Sequence, residues 1–351
     1  MSEDHRIGLG ILFGGPSGEH EVSIMSARAI WDALDRSRYR IHALGIARDG
    51  TWCSVEDPIP IFDEGRMENA LDYPAVNMVP GPGGGLYRGR DKIALDVVFP
   101  VLHGPFGEDG SVQGVLEILG VPYVGAGVAS SGASMDKHLM KRLFSAAGLP
   151  VVDHLCFSSA CLWESVDTVT RSVSECLGYP CFVKPAALGS SLGISRVTGP
   201  AGLPGALREA GALGDKVLVE RGVQARELEC SVLGNCHPEV AGPGEILPAG
   251  EFYDYDSKYF DDRTRLIIPA PVDDGVAERA RRLSLEAFQA VDARGMARVD
   301  LFYCPGDGRL LVNEINTIPG FTSMSMYPRL WKASGMDFGR LVDRLVDLAL
   351  E

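Results

Sequence analysis

Apolar and polar positions follow two rhythms along the chain. Ile7–Phe13 is an unbroken apolar run of strand length, a stretch opening at Ser23 has helical spacing, and Arg40–Ala47 returns to strand character. This βα succession predicts a parallel sheet, because parallel neighbours need a crossover between them. Ser23 is placed to cap the helix. Val79-Pro-Gly-Pro-Gly-Gly-Gly85 reads as a loop, and Asp96–Leu102 as a buried strand that opens into His103-Gly-Pro-Phe-Gly-Glu-Asp-Gly110 at its C-terminal end, where α/β sheets place ligands. Further on, the pattern predicts a helix through Met135–Ala147, strands at Cys181–Lys184 and Lys216–Glu220, and a strand with alternating acids at Arg226–Leu233. A helix at Val276–Asp292, strands at Ala297–Tyr303 and Arg309–Asn316, and an amphipathic helix at Phe338–Leu350 complete the chain. No internal repeat is visible. The elements group into three blocks, residues 1–130, 131–222 and 223–351.

Composition narrows the class. The 351 residues, 46% hydrophobic and 23% charged, suffice for two or three globular domains. A formal net charge of −14 argues against a nucleic-acid surface, so an anionic substrate must meet local positive charge. No run approaches the roughly 18 apolar residues of a membrane span, and residues 1–13 lack the pattern of a signal peptide. The eight cysteines include no C-x-x-C pair and read as buried, reduced thiols, which together with the missing export signal predicts a cytoplasmic protein.

Several segments carry candidate chemistry. The P-loop and dinucleotide fingerprints are absent, so any nucleotide site is of another type. Gly189-Ser-Ser-Leu-Gly193 fits the G-x-S-x-G nucleophile elbow, but Pro185-Ala-Ala-Leu188 separates it from the preceding strand, where an elbow would follow at once. As a loop of small residues and hydroxyls after Lys184 it suits phosphate oxygens, and a plain hairpin turn remains the alternative. Arg298-Val-Asp300 and Asn313-Glu314-Ile-Asn316 lie on two predicted strands. Period-two geometry puts Arg298 with Asp300, and Glu314 with Asn316, on single faces. If the strands pair, hard oxygen ligands suited to Mg²⁺ and a guanidinium share one side of a sheet; an exposed face with a salt bridge is the bland reading. Gly14–Ser23, with Glu19, His20 and Glu21, fills a strand-to-helix corner. His20 and His103 are each either general bases or hydrogen-bonded structural histidines. Glu251–Thr264, charged and aromatic without apolar periodicity, has the composition of a lid.

Taken in order, Gly-Gly-Pro-Ser-Gly-Glu19-His-Glu-Val-Ser, His103-Gly-Pro-Phe-Gly-Glu-Asp-Gly, Ser134-Met-Asp-Lys137, Phe182-Val-Lys184-Pro, Gly189-Ser-Ser-Leu-Gly, Phe252-Tyr-Asp-Tyr-Asp-Ser-Lys258-Tyr259, Arg298-Val-Asp300 and Asn313-Glu-Ile-Asn316 through Tyr327-Pro make the chain resemble the D-alanine–D-alanine ligase family of the ATP-grasp superfamily from end to end. The resemblance implies an α/β, three-domain ATP-grasp fold with an N-terminal parallel-sheet, Rossmann-like domain. It places ATP between the second and third domains, and two D-alanines between ATP and the first. It implies ATP-phosphate contacts from Lys137, Lys184 and Lys258, an adenine-hinge acid in Glu220, a ribose acid in Glu227, and two Mg²⁺ ions, with Mn²⁺ as a substitute, on Asp300, Glu314 and Asn316. Glu19 would hold the first D-alanine's ammonium, Ser190 and Tyr259 would close the site, and Arg298 would face the developing oxyanion. Substrate contacts fall to His103, Gly320, Ser325 and Met326. The implied activity is ATP-dependent formation of D-alanyl-D-alanine for peptidoglycan precursors, by a homodimer with no nucleic-acid or membrane partner. A D-Ala–D-Ser or D-Ala–D-lactate ligase is one alternative, disfavoured by Met326 and Tyr259. A catalytically silent ATP-binding regulator is the other, disfavoured because Arg298, Asp300 and Glu314 are all present.

Overall fold

The computed structural model describes residues 5–67, 69–189, 192–247 and 265–351. The first block runs β1 (Ile7–Gly14), α1 (His20–Ala33), β2 (Tyr39–Ile46), β3 (Trp52–Val55), α2 (Ile59–Glu64), β4 (Val76–Val79), β5 (Gly85–Arg88), β6 (Asp91–Lys92), β7 (Val97–Pro100) and α3 (Ser111–Leu119). Its main sheet has the order β3-β2-β1-β7, with β1 parallel to both β2 and β7 and β3 antiparallel at the edge. Strand β1 has a neighbour on each side and packing on each face, which is why its sequence is apolar without alternation. Gly14 ends it at φ 92°, where an added Cβ would sit 2.3 Å from the Ile46 carbonyl oxygen, so the turn toward α1 requires glycine.

One expectation changes here. Helix α1 starts at His20, and Ser23 is inside it rather than capping it. The Ser23 hydroxyl donates to the Val101 carbonyl and accepts from the Gly14 amide at 2.8 Å, tying together the ends of β1 and β7. The predicted loop is the turn of a β4–β5 hairpin over residues 80–84, with Val79 and Gly85 pairing at the ends of its four-residue strands.

Helix α4 (Val128–Met135) crosses from the first block into the second, which contains α5 (Lys137–Ala146), β8 (His154–Ser158), α6 (Ser159–Glu164), α7 (Val166–Cys176), β9 (Cys181–Pro185), β10 (Ser195–Val197), α8 (Leu203–Ala212) and β11 (Lys216–Arg221). Its sheet is antiparallel in the order β10-β9-β11-β8. The helix predicted over 135–147 is α5, which starts two residues later because Asp136 caps it, its carboxylate accepting from the His138 and Leu139 amides; the separate helix α4 ends at Met135.

The third block contains β12 (Arg226–Gly234), β13 (Glu239–Leu247), β14 (Arg265–Ile267), α9 (Asp274–Ala290), β15 (Gly295–Cys304), β16 (Arg309–Asn316), α10 (Met326–Ala333) and α11 (Phe338–Leu350). Its antiparallel sheet has the order β14-β13-β12-β15-β16, with α9 packed on one face. The apolar stripe of α11 bridges this block and the first: Leu341, Val342, Leu345 and Val346 share one core with Leu9, Phe13, Ile30 and Phe99 and with Leu233, Met296 and Tyr327. Tyr39 donates to Asp343 at 2.7 Å across the same junction. Fully burying each such aliphatic side chain is worth about 1.5–3 kcal/mol, so the first and third blocks are held firmly together. Among the described cysteines none is disulfide-bonded. Cys53, Cys181, Cys230 and Cys304 are buried as expected, while Cys176 and Cys236 are exposed.

Candidate active site

All three blocks border one cleft of about 680 Å³. It opens at the C-terminal ends of β1 and β7, where a parallel sheet leaves its crevice, and runs between the second and third sheets.

The second block supplies a basic wall. Lys184 on β9 is registered opposite Leu218 on β11, so Glu220, two residues further on, is its diagonal neighbour on the same face. Lys184 Nζ lies 2.7 Å from Glu220 Oε2, and Lys141 Nζ of α5 lies 2.9 Å from Glu220 Oε1. Burial alone would raise the Glu220 carboxyl, but the two ammonium groups outweigh it and hold the pKa near about 2. Lys137, one helical turn before Lys141, donates to the Leu188 carbonyl at 2.8 Å and approaches Glu314 Oε2 at 3.7 Å. Burial pulls its ammonium pKa down, with Glu314 acting in the opposite direction.

The third block supplies an acidic wall. Strands β15 and β16 do pair, with Arg298 opposite Asn316 and Asp300 opposite Glu314. The Arg298 guanidinium grips Asp300 in fork geometry, Nε to Oδ1 at 2.7 Å and Nη2 to Oδ2 at 2.6 Å. Asn316 donates to Asp300 Oδ2 at 3.1 Å. A second carboxylate, Glu229 on β12, stands 3.0 Å from Arg298 Nε. Arg298, Asp300 and Glu229 are 6%, 2% and 2% exposed, which excludes the bland reading of a solvated salt bridge. Two carboxylates and a side-chain amide on adjoining strands form an oxygen donor set of the kind hard divalent cations take.

The first block closes the third side with Glu19 and His103. Gly104, at φ 74°, would place a Cβ 3.0 Å from Glu19 Oε2, so a glycine lets this loop approach the carboxylate. His103 is buried, with Nδ1 3.2 Å from the Ile318 carbonyl and Nε2 3.4 Å from the Ser26 hydroxyl. A carbonyl accepts only, which puts a ring proton on Nδ1 and makes His103 a brace between β7 and residues 318–321. His20 is likewise structural: buried, its Nδ1 is bonded to the Gly15 carbonyl at 2.7 Å, and burial lowers its pKa. It is not among the cleft-lining residues.

Of the residues singled out from sequence, Glu19, His103, Lys137, Lys184, Glu220, Glu227, Arg298, Asp300, Glu314, Asn316 and Gly320 line the cleft. Ser325 and Met326 stand behind it. Ser325 occupies the N-cap position of α10, but its hydroxyl makes no capping bond and pairs with the Thr322 hydroxyl at 2.8 Å; the Met326 side chain is in the core. Ser190, Lys258, Tyr259 and the lid segment 251–264 lie outside the described residues. Lys141 and Glu229 were missed. Lys141 follows Lys137 at helical spacing, and Glu229 follows Glu227 at strand spacing, so periodicity carried both signals.

Comparison with known proteins agrees with this architecture. The family model described as D-ala D-ala ligase N-terminus matches residues 8–126, and that described as D-ala D-ala ligase C-terminus matches residues 143–347. The chain is 48% identical to a D-alanine--D-alanine ligase of Thermoanaerobacter sp. (strain X514), covering 98% of this chain and 96% of that one. It is 46% identical to one from Halothermothrix orenii, covering 99% of both. Among solved structures, the VanG D-Ala:D-Ser ligase from Enterococcus faecalis superposes with a TM-score of 0.90 at 33% identity, covering 98% of this chain and 99% of that one. The D-alanine-D-alanine ligase from Coxiella burnetii superposes with a TM-score of 0.86 at 34% identity, covering 99% and 94%. With matches running through all three blocks and both walls of the cleft, the chain belongs to the D-alanine–D-alanine ligase family and has its ATP-grasp fold.

Proposed function

We propose that this chain joins two D-alanines into D-alanyl-D-alanine at the expense of ATP, through an acyl phosphate, to supply peptidoglycan precursors. The observation that carries the reading is the meeting of a basic wall and an acidic wall in one cleft beside Glu19. A carboxylate is a poor electrophile at neutral pH. Its oxygen attacks the γ-phosphorus, ADP leaves, and the resulting acyl phosphate is open to the amine of the second D-alanine. The tetrahedral adduct then expels inorganic phosphate and leaves an amide.

Phosphoryl transfer asks mainly for positioning and charge neutralisation. Lys137 and Lys184 face the nucleotide phosphates, Glu220 stands at the adenine hinge and also orients Lys184, and Glu227 takes the ribose hydroxyls. Asp300, Glu314 and Asn316 hold Mg²⁺, two ions with Mn²⁺ as a substitute, which neutralises phosphate charge when bound. Arg298 steadies the oxyanion of the tetrahedral adduct, and Glu19 holds the first substrate's ammonium. Gly320 and the start of α10 at Ser325 and Met326 receive the second carboxylate. Ser190, Lys258 and Tyr259 complete the set from outside the described residues. Three domains at 1–130, 131–222 and 223–351, a homodimer and a cytoplasmic location belong to the same reading; no described helix is long and apolar enough to cross a membrane.

The test is incubation with ATP, Mg²⁺ and D-alanine, with mass detection of dipeptide and phosphate. D-Serine and D-lactate offered together with D-alanine decide the acceptor. The dipeptide should dominate, and predominant mixed product would move the chain to the alternative class.

A further inference from the structure

Lys141 is a cation with no access to the cleft. Its side chain is fully buried, 2.9 Å from Glu220 Oε1, and it donates to the Asn313 carbonyl at 3.2 Å. A buried ammonium is costly, and well-packed apolar residues often serve a core at least as well as a buried ion pair. Its partners, however, both belong to the site. The other oxygen of Glu220 holds Lys184 at 2.7 Å, and Asn313 immediately precedes Glu314 on β16.

We propose that Lys141 is a positioning residue for the nucleotide: it shares the charge of Glu220, so that Lys184 retains positive charge for the ATP phosphates, and it pins the β16 segment carrying Glu314 against β11, the strand carrying Glu220. One carboxylate between two ammonium groups leaves a net positive unit. Without Lys141 the same carboxylate would neutralise Lys184 completely, and an anionic ligand would meet a zero-charge pair. Lys137 does not replace it, because its Nζ is directed to the Leu188 carbonyl and Glu314. Lysines 137 and 141 lie one turn apart on α5, the first reaching the cleft and the second the layer beneath it. Glu220, held at about 2, stays ionised throughout the neutral range; burial lowers the Lys141 ammonium pKa, and the Glu220 carboxylate opposes that shift.

This inference rests on the reading that Lys184 meets nucleotide phosphates. It is tested on the full chain by calorimetric titration with a non-hydrolysable ATP analogue and Mg²⁺, alongside KM for ATP and for D-alanine. Lys141→Met should weaken analogue binding about tenfold and raise KM for ATP by a similar factor, with KM for D-alanine at saturating ATP unchanged. Adding Glu220→Gln removes the carboxylate that now over-neutralises Lys184, and the double variant should recover much of the lost affinity. A purely structural lysine would make the double variant no better than the single one. Should Lys141→Met fail to fold, Lys141→Gln, which keeps a donor toward Asn313 and loses the charge, carries the same comparison. Analogue affinity within twofold of wild type in the folded variant, or no recovery in the double variant, would overturn the proposal. Because the readout is nucleotide affinity, a wild-type protein that binds the analogue but makes no dipeptide would sink the ligase reading and leave this test intact.

Discussion

The two long walls of the cleft are built as opposites. On the second block, Lys141 and Lys184 surround one acid, Glu220; on the third, Glu229 and Asp300 surround one base, Arg298. Each minority charge is almost fully buried and makes the majority charges tolerable in a dry setting. The difference lies in what each wall has left over. The basic wall has excess positive charge, whereas the acidic wall has carboxylate oxygens left over. On the proposed reading a polyphosphate with its metal would sit between them, although the chain as a whole is strongly acidic.

Removing either minority charge should give the largest effect and exposes the difference. Glu220→Gln and Arg298→Met each leave like charges buried together and should cost about 3–5 kcal/mol of stability in urea unfolding. Divalent metal should restore part of the melting temperature of Arg298→Met, where it can take over Asp300 and Glu229, and none of that of Glu220→Gln. Equal response to metal would break the comparison. The Glu220 variant also has a pH signature. A carboxyl whose folded pKa lies below its unfolded value stabilises the fold above the unfolded pKa, and that contribution disappears as pH falls from about 4.5 toward about 2. Wild-type stability should therefore decline more steeply than that of Glu220→Gln across this window.

Next in size is the metal wall itself. Glu314→Gln keeps the shape of the side chain and removes one metal charge, so turnover should fall roughly 10²-fold while melting temperature changes little. Near-wild-type turnover at ordinary Mg²⁺ would detach Glu314 from the metal.

The acidic wall was more legible in the sequence than the basic one, for a physical reason. Arg298, Asp300, Glu314 and Asn316 lie on two strands whose period is two, and the pairing β15–β16 needs only a short connection, so a shared face followed from spacing. The basic wall gathers Lys141 from a helix, Lys184 from one strand and Glu220 from another, and no local period reports a contact across such separations. The fold divides the same way. Strand β1 and helix α11 were visible as patterns, but the docking of α11 on the first block's core depends on tertiary packing that an amphipathic stripe does not specify. Ser23 misled because a hydroxyl before a helical pattern is a capping signal, while here it fastens two parallel strands.

The smallest predicted effect concerns the residue beside Glu220. Arg221 follows it on β11, so its side chain leaves the opposite face of the sheet and meets Asp153 at 3.1 Å and the Cys176 carbonyl at 3.0 Å. Both ends of that ion pair are largely exposed, where solvent screening and side-chain entropy leave at most about 1 kcal/mol. Arg221→Lys keeps the charge and loses one of the two exposed contacts, so unfolding free energy should shift by less than about 0.5 kcal/mol. KM for ATP should stay within twofold, because Glu220 and Lys184 are untouched. Adjacent positions on one strand would then differ by several kcal/mol in consequence, with burial and not proximity to the nucleotide deciding which matters. A tenfold rise in KM for ATP in Arg221→Lys would mean that the Arg221 guanidinium itself contacts the nucleotide, and that the basic wall extends onto the exposed face of β11.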